Sequence, residues 1–193
     1  MKSIPKKLKS EVRSPKAIVH VITGDGKGKT TASLGLALRA IGAGKRVKMI
    51  QFMKKAEFSE HKAIKKYGLP IEVEAFGIGF YKILGDNKTP EEHKKAAHKG
   101  LESAREALES QNYDLIILDE INVAIGFGLL EVDEVISVLQ TTDNGKRKTD
   151  LDLVLTGRKA HPKIKKIAQL VSDVKCVKHY FDKGLNARKG IEL

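Results

Sequence analysis

The sequence is poor in residues on which several classes of protein depend. Its 193 residues include one cysteine, Cys176, and no tryptophan. One cysteine excludes an internal disulfide and any metal site built from clustered cysteines. The chain also lacks a run of about eighteen apolar residues that could span a bilayer, and its lysine-rich start lacks the apolar stretch of a secretory signal. We therefore expect a soluble, cytoplasmic protein with no membrane partner.

Positive charge is in excess, at a formal +12 at pH 7, and it is concentrated in two places. Basic residues crowd positions 1–16, and a second cluster occupies positions 146–148. This balance favours anionic partners such as nucleic acid, anionic lipid, nucleotides or acidic cofactors. Charge runs also keep proteins in solution, so a solvated tail and a solvated loop are the alternative interpretation.

Apolar runs alternate with helical patterns along the chain, which indicates βαβ units around a mostly parallel sheet. The predicted strands are Ala17–Thr23, 47–52, 71–76, 115–118, 151–155 and 174–177, and the predicted helices are 30–41, 57–67, 89–110, 132–139 and 162–170. The run at 115–118 is continuously apolar, so both faces of the sheet should be covered by helices. We predict a basic segment at 1–16 followed by a single α/β domain at 17–193. The apolar neighbours of Cys176 predict a buried thiol.

Residues 23–30 (TGDGKGKT) lie between the first predicted strand and the first predicted helix, where a phosphate-binding loop belongs. The general pattern begins with glycine and here begins with Thr23, but its Gly-Lys-Thr ending is intact. In such loops the backbone N–H groups surround phosphate oxygens, the lysine contacts phosphate and the threonine hydroxyl meets Mg²⁺. A glycine-rich turn with solvent-facing lysines is the alternative. The predicted ATP contacts are Gly24, Asp25, Gly26, Lys27, Gly28, Lys29, Thr30 and Thr31.

Polar residues also follow two other predicted strands. Asp119 and Glu120 come directly after the apolar run 115–118, where a carboxylate can reach the magnesium of a nucleotide. Capping of the next helix is the alternative role. Arg158 follows another strand, at the same edge of the sheet, where ligands bind. An ordinary surface arginine without a ligand is the alternative role. Arg39 lies about two and a half turns into the first helix, so it would need a long reach to phosphate.

Four segments together resemble the ATP-dependent corrinoid adenosyltransferases that have a phosphate loop: TGDGKGKTTASLGLALRA, IILDEINVAI, LVLTGR and KHYFDKGLNARKGIEL. The similarity covers roughly residues 17 to 193, and that family also has threonine in the first position of the loop. The resemblance implies a P-loop NTPase-like fold. It also implies transfer of the 5′-deoxyadenosyl group of ATP to the cobalt of a reduced, Co(I), corrinoid, with release of triphosphate, in adenosylcobalamin synthesis or salvage.

The resemblance also implies site residues. It assigns catalytic roles to Lys29, Thr30 and Glu120, magnesium to Thr30 and Glu120, and phosphate contacts to Arg39 and Arg158. The family's corrinoid loop usually reads G-F-T-W, and residues 79–82 here read G-F-Y-K. Phe80 matches and the tryptophan is replaced by lysine, which leaves Tyr81 as a candidate substitute in displacing the lower cobalt ligand. Corrinoid contacts are therefore implied for Phe80 and Tyr81, with core packing as the alternative for Phe80.

Partners follow from the same resemblance. It implies a homodimer, in which residues 1–16 of one subunit can cover the corrinoid of its neighbour, and an electron-donor protein such as a flavodoxin or reductase. A disordered tail is the alternative for that segment. Three competing functions are a DNA-partitioning ATPase, a small-molecule kinase and a nonenzymatic nucleotide switch. The first carries an extra lysine where this chain has Gly24, so we expect no nucleic-acid partner; the other two stay open.

Overall fold

The computed structural model describes residues 17–55, 58–79, 81, 86–141 and 150–192. The strands are β1 (Ala17–Thr23), β2 (Val47–Gln51), β3 (Ile71–Ala75), β4 (Leu115–Asp119), β5 (Leu151–Thr156) and β6 (Leu170–Asp173). The helices are α1 (Lys29–Gly42), α2 (Ser59–Tyr67), α3 (Pro90–Ser110), α4 (Ile121–Gly126), α5 (Val132–Gln140) and α6 (Pro162–Ile167), followed by a 3₁₀ turn at Tyr180–Lys183. Within the described residues the six strands form one parallel sheet in the order β3–β2–β4–β5–β1–β6.

The middle strand β4 shows why helices lie on both faces of this sheet. Side chains alternate along a strand, and all five residues of β4 are buried. Ile116 and Leu118 pack into a cluster with Leu101 of α3, whereas Ile117 packs into a second cluster with Ala37 of α1. The continuous apolar run therefore serves two separate layers of helices, as predicted.

The order of the strands brings three loops together. Strands β4, β5 and β1 are neighbours, so the segments that leave their carboxyl ends meet at one edge of the sheet. Those segments are the glycine-rich loop 24–28, the turn at Glu120 and the turn at 157–158.

None of the described helices combines the length and the apolar composition that a bilayer span requires.

The sequence prediction was wrong at the end of the chain. The last strand is Leu170–Asp173 rather than 174–177, and α6 ends at Ile167. Beyond β6 the chain leaves the sheet and crosses the glycine-rich loop, because Gly26 N–H donates to the Val174 carbonyl at 2.7 Å. Cys176 is consequently exposed, which corrects the prediction of a buried thiol. The short helix α4 was also not predicted, since its apolar residues continue directly from the run in β4.

Candidate active site

The glycine-rich loop owes its shape to two different requirements on its glycines. Gly28 has φ +118°, a left-handed conformation that residues with a side chain rarely adopt, and it leads directly into α1. Gly26 is needed for space, because an added Cβ would lie 2.7 Å from the carbonyl oxygens of Val174 and Lys175. Gly24 combines both requirements, with φ +101° and the Val174 oxygen 2.4 Å from an added Cβ. The segment after β6 thus packs on the loop and holds it against the start of α1.

Lys29 is the first residue of α1 and lies at the centre of this loop. It is only 6% exposed, and its Nζ donates to the Gly26 carbonyl at 2.6 Å. Burial lowers the pKa of Lys29, and the nearby Glu120 carboxylate acts in the opposite direction. The first N–H groups of an α-helix have no partner within the helix, so they add positive partial charge beside this ammonium. The arrangement suits a polyanion such as the phosphates of a nucleotide.

Asp119, the last residue of β4, forms what we call the acid end of the site together with Thr30, Gln51, Lys54 and Thr156. Its side chain is fully buried. Oδ1 accepts hydrogen bonds from the hydroxyls of Thr30 at 2.9 Å and Thr156 at 2.7 Å. Oδ2 accepts from Gln51 Nε2 at 3.1 Å and lies 3.2 Å from Lys54 Nζ. Four donors therefore fix this carboxylate, and one of them is the threonine hydroxyl of the loop.

Glu120 leaves the strand in a different direction. Its backbone has φ 63°, an uncommon left-handed conformation for a residue with a side chain, and its N–H donates to the Thr156 hydroxyl at 2.9 Å. Its side chain lines the same cavity as the loop. Burial and the neighbouring Asp119 raise the pKa of Glu120, while Lys54 and Lys29 act in the opposite direction. Glu120 thus faces the cavity, whereas Asp119 is the carboxylate that contacts Thr30.

These groups surround a cavity of about 530 Å³. Of the predicted residues, its lining includes all of 25–31 together with Glu120 and Arg158, so the structure brings most of the predicted nucleotide contacts together. Gly24 belongs to the loop but does not line the cavity. Gly157, which precedes Arg158, has φ +127°, and a Cβ added to it would lie 3.2 Å from a Glu120 carboxylate oxygen, so this turn has no room for a side chain.

Other predicted residues lie elsewhere. Arg39 lines a separate cavity of about 290 Å³ with His20, Lys45 and Asp152, near the amino ends of the strands and away from the loop. Its contact with phosphate stays a prediction that the structure does not support. Phe80 lies outside the described residues.

Tyr81 follows the position assigned to Phe80 and points into the core. It is 7% exposed, its ring centroid lies 4.8 Å from that of His93, and it meets Phe127 edge to face at 5.3 Å. Core packing therefore accounts for Tyr81, and a direct corrinoid contact by its ring remains a prediction.

A third wall of the cavity was not predicted. The C-terminal wall, as we call it, consists of His179, Gly190, Ile191 and Glu192. Lys27 of the loop holds it, since its Nζ donates to the Ile191 carbonyl at 2.8 Å and lies 3.7 Å from a Glu192 oxygen. Glu192 also accepts hydrogen bonds from the Tyr180 hydroxyl and from Arg188 N–H at 2.7 Å. The Tyr180 hydroxyl, aided by Arg188, lowers the pKa of Glu192 to about 2.

Sequence reasoning also missed Lys54 and Gln51. Both come at or just after the carboxyl end of β2, which pairs with β4. That edge of the sheet was predicted to carry ligand-binding residues, so a lysine close after a strand was a usable signal. The segment of the C-terminal wall carries part of the family resemblance, but its contact with the loop could not be foreseen, because Lys27 and Ile191 are 164 residues apart.

Comparisons with known proteins identify a family to which the whole described domain is similar. The model of the family described as ATP:corrinoid adenosyltransferase BtuR/CobO/CobP matches residues 15–193. The corrinoid adenosyltransferase of Escherichia coli (strain K12) is 32% identical over 184 residues, which cover 95% of this chain and 89% of the relative. The corrinoid adenosyltransferase of Pseudomonas aeruginosa is 31% identical over 185 residues, covering 95% of this chain and 87% of the relative.

A solved structure bears on the fold alone. The flagellar accessory protein FlaH from Methanocaldococcus jannaschii has a TM-score of 0.53 at 12% sequence identity, covering 82% of this chain and 70% of that chain. The expected single α/β domain with a P-loop NTPase-like sheet is confirmed.

Proposed function

The chain belongs to the ATP:corrinoid adenosyltransferase family, and we propose that it transfers the 5′-deoxyadenosyl group of ATP to the Co(I) of a reduced corrinoid and releases triphosphate. One observation carries this proposal beyond family membership. The Lys29 ammonium, the first turn of α1 and Arg158 converge on one cavity of about 530 Å³. A leaving triphosphate needs such a concentration of positive charge and N–H donors, because its negative charge grows as the bond to carbon breaks. The product would serve adenosylcobalamin synthesis or salvage.

The proposed reaction needs little proton chemistry. A cobalt electron pair forms the Co–C bond at the ribose 5′ carbon while the C–O bond breaks, and the bonding electrons leave with triphosphate. No general base is required at the nucleophile. The protein therefore contributes by binding and orientation. In this structure Lys29 and the N–H groups of the loop would hold phosphate oxygens, and Arg158, which lines the same cavity, would do so as well.

The acid end fits a magnesium ion. Thr30, Asp119 and Glu120 offer hydroxyl and carboxylate oxygens beside the loop, and Mg²⁺ prefers oxygen ligands of this kind. We propose that these three residues would hold it, so that Asp119 joins the two residues predicted from the sequence. When bound, the ion supplies positive charge to the phosphate oxygens. The part of Asp119 itself is to orient the Thr30 hydroxyl through their 2.9 Å hydrogen bond.

A second cavity suits the acceptor. It measures about 520 Å³ and shares Asp25 and Arg158 with the nucleotide cavity. Phe127 lines it and rests on the Tyr81 ring. We propose that the corrinoid binds here, with Tyr81 supporting Phe127 from the core. The corrinoid contact proposed for Phe80 rests on the family resemblance alone. The two shared lining residues support this proposal, because a direct transfer requires an acceptor beside the phosphates.

Assembly and electron supply are further proposals that the resemblance supports. We propose a homodimer acting in the cytoplasm and supplied with electrons by a flavodoxin or a reductase. Sedimentation of the purified chain tests the first point, and a mass near that of one chain, 21.3 kDa, would contradict it. Formation of product from Co(II) corrinoid only when a candidate donor is added tests the electron supply.

The activity is tested by incubating the protein with MgATP and chemically reduced cobalamin. We expect a light-sensitive Co–C product and one triphosphate for each product formed. Two results without the Co–C product would contradict the proposal. Formation of ADP alone would favour kinase chemistry, and formation of ADP with phosphate would favour ATPase chemistry. Omission of corrinoid is the matched control, in which triphosphate should not accumulate.

A further inference from the structure

Lys54 lies among the oxygens that a magnesium ion would need. Its Nζ donates to the Thr30 hydroxyl oxygen at 3.2 Å and lies 3.2 Å from Asp119 Oδ2. These are the hydroxyl and the carboxylate assigned above to the metal. The ammonium therefore shares its oxygen partners with the proposed ion. Lys54 reaches them from the segment after β2, whereas Thr30 belongs to α1 and Asp119 to β4.

The two cations exclude one another at this place. Mg²⁺ contacts its ligands at about 2.0–2.1 Å and demands a nearly complete set of oxygens around it. An ammonium held by the same oxygens would be only a few ångströms away, where like charges repel strongly in a partly buried site. Asp119 is fully buried and already has four donors, so it has no spare capacity to serve both cations.

Lys54 has another place to go. Its side chain is 21% exposed and lines the nucleotide cavity. Glu60 lies on the same side, with Oε1 3.5 Å from the ammonium, and the Phe58 ring centroid is 5.6 Å away. A triphosphate in the cavity would add a much stronger anionic partner within reach of this flexible side chain. Movement of Lys54 onto phosphate would free the oxygens of Thr30 and Asp119.

We propose that Lys54 is a tethered cation that occupies the magnesium site of the nucleotide-free protein and so makes metal binding depend on the triphosphate. This inference rests on the proposed function for the identity of the metal site. It makes Lys54 a residue that selects the metal–nucleotide complex over free metal, and it explains how the buried Asp119 charge is neutralised before the substrate arrives.

The test uses Mn²⁺ as a spectroscopic substitute for Mg²⁺, titrated into the nucleotide-free protein and followed by electron paramagnetic resonance. In the Lys54→Met variant we expect Mn²⁺ to bind roughly tenfold or more tightly than in the wild type, because a competing charge is gone. Mg²⁺ alone should also raise the melting temperature of the variant and leave that of the wild type almost unchanged. Equal Mn²⁺ affinities in the two proteins would overturn the proposal.

Two further variants keep the test decisive. Lys55→Met removes the exposed neighbouring lysine and should bind Mn²⁺ like the wild type. Lys54→Gln keeps a donor for Asp119 without the charge, so it replaces Lys54→Met if that variant does not fold, with the same expected gain in affinity. These measurements contain neither ATP nor corrinoid. Failure of the adenosyl transfer assay with a gain in Mn²⁺ affinity would refute the proposed reaction alone, and the reverse result would refute the role of Lys54 alone.

Discussion

The acid end and the C-terminal wall face the same cavity but are held in place in different ways. At the acid end Asp119 terminates a fully buried strand and is bound by four donors. The C-terminal wall is attached through Lys27 and Glu192, and its one apolar side chain, Ile191, is 55% exposed. The fold itself therefore determines the acid end, whereas a few polar contacts at the surface determine the wall. Changes at the first should affect both folding and chemistry, and changes at the second should affect only the substrate contacts.

We expect the largest effect on activity from a change at Lys29, which lies between the acid end and the C-terminal wall. We expect Lys29→Ala to lower adenosyl product formation by about 10²–10³-fold, the usual result of removing one donor that stabilises developing charge. The measurement is the initial rate with reduced cobalamin at saturating MgATP.

Lys27→Ala is the matched control, two residues away in the same loop. Its ammonium holds the C-terminal wall rather than the centre of the loop. A much smaller loss is expected, visible mainly in the KM for ATP. Near wild-type turnover of Lys29→Ala would refute the role assigned to Lys29, and equal losses in the two variants would remove the distinction between loop and wall.

The next largest effect concerns stability at the acid end. We expect Asp119→Asn to lower the free energy of unfolding by about 2–3 kcal/mol, because hydrogen bonds to a buried charged group are lost and Lys54 keeps only Glu60, 3.5 Å away, as a carboxylate partner. Urea unfolding followed by circular dichroism measures this change.

Asp114 provides the comparison, since it precedes the same strand at its opposite end. It pairs with Arg46 at the surface, 3.2 Å away, with the arginine side chain 52% exposed. The backbone N–H and the guanidinium of Arg46 both donate to Asp114, which puts the pair at the upper end of the roughly 0–1 kcal/mol of exposed pairs. Asp114→Asn should therefore lower stability by clearly less than Asp119→Asn. If both variants unfold at the same urea concentration as the wild type, the buried hydrogen bonds of Asp119 do not stabilise the fold.

Residues whose surroundings are local could be predicted from the sequence. The glycine-rich loop and the continuous run in β4 were recognisable because strand, loop and helix follow one another within about 25 residues. The choice between Asp119 and Glu120 could not be made from their adjacency. Alternation along β4 decides it, since Asp119 lies on the same face as Ile117, which packs towards α1, and Thr30 is in the first turn of that helix. Glu120 leaves the strand with a left-handed backbone that no sequence pattern signals.

Residues whose surroundings are distant in sequence could not be predicted. The segment after β6 reads like a buried strand because valines flank Cys176, yet Val177 is 93% exposed. Its position is set by the hydrogen bond from Gly26 to Val174, which joins residues far apart in the chain. Arg39 is a different case, because its place about two and a half turns into the first helix already indicated a long reach to phosphate, and it lines a separate cavity.

The smallest effect is a pH dependence confined to the C-terminal wall. Its Glu192 carboxylate has a pKa of about 2, below the ordinary value of 4.5, because the Tyr180 hydroxyl and, after it, Arg188 bind its charged form in the folded protein. A depressed carboxyl pKa stabilises the docked wall above pH 4.5, and that stabilisation is lost as the pH falls towards 2. A fluorophore attached to the exposed Cys176 should therefore gain mobility across this window. We expect Glu192→Gln to remove the dependence within that window while far-UV circular dichroism follows the rest of the fold. A wild-type transition in anisotropy that coincides with global unfolding would show instead that the wall and the buried core come apart together, and that the two regions are not separable.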